Sequence, residues 1–136
     1  MALSHLLDTS VYSQPLKPRP LPSVERHWHR HGDKALAISV ICEAELLFGI
    51  EKKQSAKLRR DYEALLKGRL VLFDVDASVA KVFGHFKAVA YSKGMGSSDF
   101  DLLIAATALA QNLVLATLNI RHFAGLDGLV VEDWSK

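Results

Sequence analysis

Residues 98–119 read Ser98-Asp99-Phe100-Asp101-Leu102-Leu103-Ile104-Ala105-Ala106-Thr107-Ala108, then Leu109 to Asn112, then Leu113-Val114-Leu115-Ala116-Thr117-Leu118-Asn119. Ser98 is a helix-starting residue, and the almost wholly apolar run that follows to Ala110 is long enough for a helix. Leu113 to Ala116 is short and apolar, as a strand is. A helix feeding directly into such a strand is the repeating unit of an α/β protein.

The same alternation extends in both directions. Leu3 to Leu7 predicts a first strand, with Asp8-Thr9-Ser10 as a polar turn after it. All four prolines fall between Pro15 and Pro22 and mark an extended loop. Pro22 or Ser23 opens a short helix to His31, with Gly32 as its stop. Ala35 to Ile38 suits a buried strand, and Ser39 caps a helix running through Leu47 to Gly49. Ser55 to Lys67 is a charged helix ended by Gly68, and Leu70 to Phe73 reads as another interior strand. Val79, Val82, Phe83, Phe86 and Val89/Ala90 recur at three and four residues, so 77–92 is an amphipathic helix broken by Gly94-Met95-Gly96. His122-Phe123 lies in a short helical turn, and 129–131 is a last strand. The predicted fold is an α/β three-layer sandwich, with a mainly parallel central sheet flanked by helices, formed by residues 1–136 as one domain.

The composition excludes several classes. Hydrophobic residues make up 49% and charged residues 24%, so the chain is neither disordered nor fibrous. A net charge of +2 does not by itself announce a nucleic-acid partner. The single cysteine, Cys42, cannot form an internal disulfide and reads as a buried thiol in a reducing cytosol. The N-terminus lacks the basic region of a signal peptide, and no apolar stretch approaches the roughly 20 residues that span a bilayer, so a cytoplasmic protein is expected.

Three acids stand where acids are costly. Asp8 follows a buried strand, and the carboxyl ends of strands are where sites form in open α/β sheets; it can equally cap the next helix. Glu45 shares a helical stripe with Ile41 and Phe48 that should face the core, where a carboxylate is paired with a base or bound to a metal. Glu43, two positions away, should project nearly opposite and stay solvated. Asp101 begins the apolar helix and, with Ser98, also fits a capping box; Asp99 is its neighbouring competitor. Asn119, beyond the strand 113–116, offers a carbonyl oxygen without charge, or caps the turn after it. Several acids from separate elements near strand ends are what a Mg²⁺ or Mn²⁺ phosphodiesterase site needs.

At these residues a family resemblance enters. Leu6-Leu7-Asp8-Thr9-Ser10 resembles the first motif of PIN domains, and Ile38-Ser39-Val40 through Ala44-Glu45-Leu46-x-x-Gly49 resembles the second motif of VapC toxins. Asp101-x-x-Ile104-Ala105-Ala106-Thr107-Ala108 is similar to the third and Leu115-Ala116-Thr117-x-Asn119-x-x-x-Phe123 to the fourth, while Glu132-Asp133-Trp134 matches a familiar VapC ending. The resemblance implies a PIN fold, Mg²⁺- or Mn²⁺-dependent endoribonuclease activity on RNA (tRNA among the candidates), an inhibitory VapB-type antitoxin, homodimerisation, and DNA contact only through the antitoxin. It transfers metal-site roles to Asp8, Glu45 and Asp101. Asn119 stands where many members carry a fourth acid, which weakens a second metal. Thr9, Ser10 and Thr117 would orient carboxylates and water.

Lys52, Lys53, Lys57, Arg59 and Arg60 form either a solvated helix face or an RNA-backbone track. His27 and His31 share a helix face that can bind metal or lie on a surface near substrate or partner. Trp28 packs or stacks on a base, and Tyr12 with the proline loop is placed to border the cleft. The competing function is a catalytically weakened PIN scaffold that binds RNA or a partner, motivated by Asn119.

Overall fold

The computed structural model describes residues 2–136. Five strands form one sheet in the order β3-β2-β1-β4-β5, with β1 His5–Leu7, β2 Leu36–Ser39, β3 Val71–Phe73, β4 Val114–Thr117 and β5 Val131–Asp133. All four pairings are parallel. The helices flanking it are α1 Thr9–Tyr12, α2 Pro22–His31, α3 Val40–Lys53, α4 Ala56–Leu65, α5 Ala77–Lys93 and α6 Asp99–Ala110. Parallel strands need crossover connections, and those helices supply them while covering the sheet. The inner strands are accordingly apolar: Leu6, Leu7, Leu36, Leu115 and Ala116 are fully buried. No helix is long and apolar enough to cross a membrane among the described residues.

Several sequence expectations change in place. The turn after β1 is instead a short helix, α1, because the Asp8 carboxylate accepts the Val11 N–H as an N-cap. The proline segment holds a 3₁₀ turn at Gln14–Leu16, and Pro22 is the first residue of α2, where its missing N–H costs nothing. Gly49 does not end α3, which continues to Lys53 and stops at Gln54 in a left-handed conformation, φ 50°. Residues 71–73 form an edge strand, not an interior one, and Val71 and Leu72 are exposed. The last strand lies two residues later than the apolar run predicts, at Val131–Asp133.

The buried stripe of α3 is also different from the one the sequence suggests. Cys42, Leu46 and Ile50, spaced by four, face the core, whereas Phe48 is 67% exposed and Ile41 is half-buried. Glu45 therefore sits at the border of the buried stripe, about 60° around the helix from Cys42. Ile50→Ala should cost about 2–5 kcal/mol through cavity formation, whereas Phe48→Ala should change stability by no more than about 0.5 kcal/mol. Urea unfolding midpoints of the two variants check this, and equal losses would contradict the assigned face.

Candidate active site

The carboxyl ends of β1, β2 and β4 lie side by side, so the residues that follow them share one edge of the sheet. Asp8 follows β1, Thr117 ends β4, and Ser39 at the end of β2 caps α3, which carries Glu45. Asp8 is only 5% exposed, and its carboxylate accepts three hydrogen bonds. Ser10 Oγ (2.6 Å) and the Val11 N–H (3.1 Å) donate to Oδ1, and Thr117 Oγ1 donates to Oδ2 at 2.5 Å. Each hydroxyl is itself fixed from behind: Ser10 Oγ accepts the Leu118 N–H and Thr117 Oγ1 accepts the Asn119 N–H. The chain leaving β4 thus locks both hydroxyls so that their protons point at Asp8. Glu45 is held in the same manner by Thr9 Oγ1 at 2.6 Å.

The charge on this edge is not balanced. No Lys or Arg among the described residues forms an ion pair with Asp8, Glu45 or Asp101. Burial raises the Asp8 pKa above the usual carboxylate range, its hydrogen bonds work the other way, and the Asp101 charge adds to the rise. Burial likewise raises Glu45, with the Thr9 hydrogen bond opposing and Asp101 and Asp8 adding repulsion. The three carboxylates are therefore electrostatic neighbours. They are not gathered to within 4.8 Å of one another; the one set of three ligand-type side chains that close among the described residues is His5, His31 and Glu132, elsewhere in the fold. Hard oxygen donors carrying uncompensated negative charge are a donor set suited to Mg²⁺ or Mn²⁺.

Asp101 sits in the first turn of α6, where Ser98 Oγ accepts its backbone N–H, so the cap comes from Ser98. Its carboxylate instead meets His122 Nδ1 at 3.2 Å. Asp99 points away to Lys87, at 2.6 Å. Glu43 also lies off this group but is only partly solvated: it accepts hydrogen bonds from Tyr12 Oη (3.2 Å) and Tyr62 Oη (2.9 Å). Asn119 is exposed, and its carboxamide makes no hydrogen bond among the described residues, so it caps nothing.

A groove of about 280 Å³ runs from Thr9 and Glu45 past Gly49 to Lys17 and Lys53. The proline segment does border the cleft, through Leu16, Lys17 and Pro18. Tyr12 does not; it is 1% exposed and packs in the core. Among the bases of the charged helix, Lys57 pairs with Asp61 and Arg59 with Glu51, while Lys52, Lys53 and Arg60 are exposed without an acidic partner. Sequence reasoning missed Lys17 as a groove residue and Arg121 beside His122, since neither lies in a helical pattern that would flag it. Trp28 packs: its indole N–H donates to Asp33 and Arg69 covers its ring at 4.9 Å, so it offers no free face.

The chain was compared with known proteins. The family model described as PIN domain matches residues 5–129. A curated tRNA(fMet)-specific endonuclease VapC from Shigella flexneri is 31% identical, the alignment covering 98% of this chain and 99% of that protein. Among solved structures, VapBC2 from Rickettsia felis bound to a DNA fragment from its promoter superposes with a TM-score of 0.82 at 28% identity, covering 98% of this chain and 99% of that one. DNA-bound VapBC from Salmonella typhimurium gives a TM-score of 0.82 at 30% identity, covering 97% of this chain and 98% of that one. With its all-parallel sheet, its acidic strand-end cluster and this near full-length likeness, the chain belongs to the VapC family of PIN-domain proteins.

Proposed function

We propose that this protein is a Mg²⁺- or Mn²⁺-dependent endoribonuclease acting in the cytoplasm as the toxin of a toxin–antitoxin pair, with RNA, tRNA included, as substrate. The observation that carries the reading is the group Asp8, Glu45 and Asp101, in which neighbouring carboxylate charge raises Asp8 and Glu45 and no Lys or Arg among the described residues pairs with any of the three. Relatives named as ribonucleases and structures of toxin–antitoxin complexes support the RNA substrate and a VapB-type antitoxin as partner. Homodimerisation, and DNA contact made through the antitoxin, belong to the same reading.

In this proposal Asp8, Glu45 and Asp101 hold the cation, which when bound would acidify a water and neutralise charge at the scissile phosphate. Ser10 and Thr117 keep both Asp8 oxygens oriented, and Thr9 does so for Glu45, so the carboxylates need little rearrangement as RNA arrives. Lys17 and Lys53 place positive charge along the groove that leads from Glu45 and would meet backbone phosphates. His122, half-exposed beside Asp101, is placed to pass a proton at the leaving oxygen. Asn119 adds no charge, so the site carries about −3, which one divalent ion reduces to about −1 and two would reverse to about +1. One firmly held cation in the free protein follows. The alternative, a weakened scaffold that only binds RNA or a partner, rests on Asn119 alone.

Asp101→Asn should abolish cleavage of total RNA in Mg²⁺ or Mn²⁺, a loss of at least about 100-fold by analogy with removal of one charge-stabilising group, with RNA affinity retained. Undiminished cleavage by this variant would remove the acids from the mechanism, and wild-type protein that cuts no RNA with either ion would favour the scaffold.

The raised carboxyls have a further consequence for the metal-free protein. Because Asp8 and Glu45 hold protons more tightly folded than unfolded, their contribution to stability is complete below the unfolded carboxylate range and is lost as pH rises through their raised folded values. At pH 8 in chelator, Asp101→Asn should therefore melt above wild type, by about 2–4 °C for each 1 kcal/mol of repulsion relieved. Mg²⁺ should raise wild type more than the variant. A variant that melts below wild type under these conditions would contradict the repulsion.

A further inference from the structure

The second polar cluster of the protein lies away from the strand-end acids and is not used by the proposed reaction. His5 begins β1, His31 ends α2 and Glu132 lies in β5. One ring nitrogen of each histidine and one carboxylate oxygen of Glu132 all lie within 4.8 Å of one another. His5 is 6% exposed, and its Nε2 is a buried polar atom without a hydrogen-bond partner among the described residues. It lies 3.2 Å from Glu132 Oε1, close enough for an ion pair but not aligned for a hydrogen bond.

Proton positions sharpen the conflict. Ser4 Oγ lies 2.7 Å from His5 Nδ1 and 3.3 Å from the Ala35 carbonyl oxygen, and its single proton can serve only one of them. When Ser4 donates to Ala35, His5 Nδ1–H donates to Ser4 Oγ and Nε2 of the neutral ring carries a lone pair, the tautomer a metal ligand needs. That lone pair faces Glu132 Oε1, which already accepts the Trp134 indole N–H at 2.8 Å. In that tautomer the buried His5 nitrogen and the half-exposed Glu132 oxygen are two lone-pair donors 3.2 Å apart, a spacing that a shared cation would fill. About 3.3 Å is the edge of a tetrahedron whose ligands lie at about 2.0–2.1 Å from a central zinc.

We propose that His5, His31 and Glu132 bind a divalent transition-metal ion of the zinc class, as three protein ligands with water in the open fourth position. Two imidazoles and one carboxylate suit Zn²⁺ better than the harder Mg²⁺, so the protein sorts two kinds of cation into two sites. The surroundings orient the ligands. The Ser4 contact fixes the His5 ring, Trp134 fixes the Glu132 carboxylate, and the His31 ring stacks on Trp134 at 5.8 Å between centroids and 8° between planes. Burial and the neighbouring His5 ring hold His31 below its ordinary value, the direction that favours the neutral ring a metal takes. His27 shares the helix face of His31 but not the site: its Nε2 contacts the Lys136 carbonyl oxygen and its Nδ1 the Arg30 guanidinium. The ion would tie the first strand, the end of α2 and the C-terminal edge strand together.

The test uses the full chain, freed of metal with chelator, and Zn²⁺ or Co²⁺ alone. Zn²⁺ at about 100 times its dissociation constant should raise the melting midpoint by about 10 °C, and Co²⁺ should give the visible absorption of a tetrahedral complex. His31→Gln and Glu132→Gln, both at partly exposed positions, should each lose the Co²⁺ absorption and most of the shift while still folding. Asp101→Asn and His29→Gln should keep both. Absence of a Co²⁺ spectrum and of a zinc-induced shift in wild type would overturn the site and leave a buried His5–Glu132 ion pair. Undiminished binding in His31→Gln or Glu132→Gln would overturn it as well, by placing the ion elsewhere.

Discussion

A carboxylate, Asp8, is buried at the end of a central strand with hydroxyl and amide donors around it and no base to meet its charge. Donors stabilise the ionised form and burial opposes it, and burial prevails. Much of the local structure serves to hold that unfavourable group still. The β1–β4 pairing puts Leu7 beside Ala116, so Asp8 and Thr117 emerge next to one another. The backbone N–H groups after β4 donate nothing to Asp8 directly; they fix Ser10 and Thr117, whose hydroxyls donate to the carboxylate. Loss of that relay would leave Asp8 with desolvation and little compensation, a cost of several kcal/mol per buried ion.

Folding thus concentrates negative charge at one sheet edge and leaves the balancing charge to come from outside. Glu45 arrives from α3 and Asp101 from α6, and the Asp101 charge raises the cost of ionising both Asp8 and Glu45. The groove leading away carries Lys17 and Lys53, neither of them paired with these acids; under the proposed function they would meet a phosphate backbone. A strongly negative centre with basic approaches is a combination that favours a divalent cation and a polyanion together over either alone.

The alternation of apolar helices and strands was enough to read the sheet as α/β and mainly parallel, because burial on both faces writes itself as short uninterrupted apolar runs, as at Leu113–Ala116. Edge position left no comparable mark: Leu70–Phe73 has the same character as an inner strand, and only the strand order shows that nothing lies beyond it. Asp8, Glu45 and Asp101 were legible as acids in apolar settings. The face that Glu45 borders is not fixed by sequence, since a three-four stripe through Ile41 and Phe48 and a four-four stripe through Cys42, Leu46 and Ile50 fit the same residues, and packing selects the second. The His5–His31–Glu132 cluster was not legible, for its members come from three elements and their convergence depends on α2 lying against Trp134.

Hard oxygen donors gather in one cluster and nitrogen-rich donors in another, so the place where a hard cation settles distinguishes them. The most direct measurement is anomalous diffraction from crystals of the free protein soaked in Mn²⁺. One Mn²⁺ peak lying between the carboxylates of Asp8, Glu45 and Asp101, with those oxygens drawn in to about 2.1–2.2 Å, is the result expected. Well-ordered carboxylates with no Mn²⁺ among them at millimolar concentration would contradict the claim that this edge of the sheet is built to hold a cation.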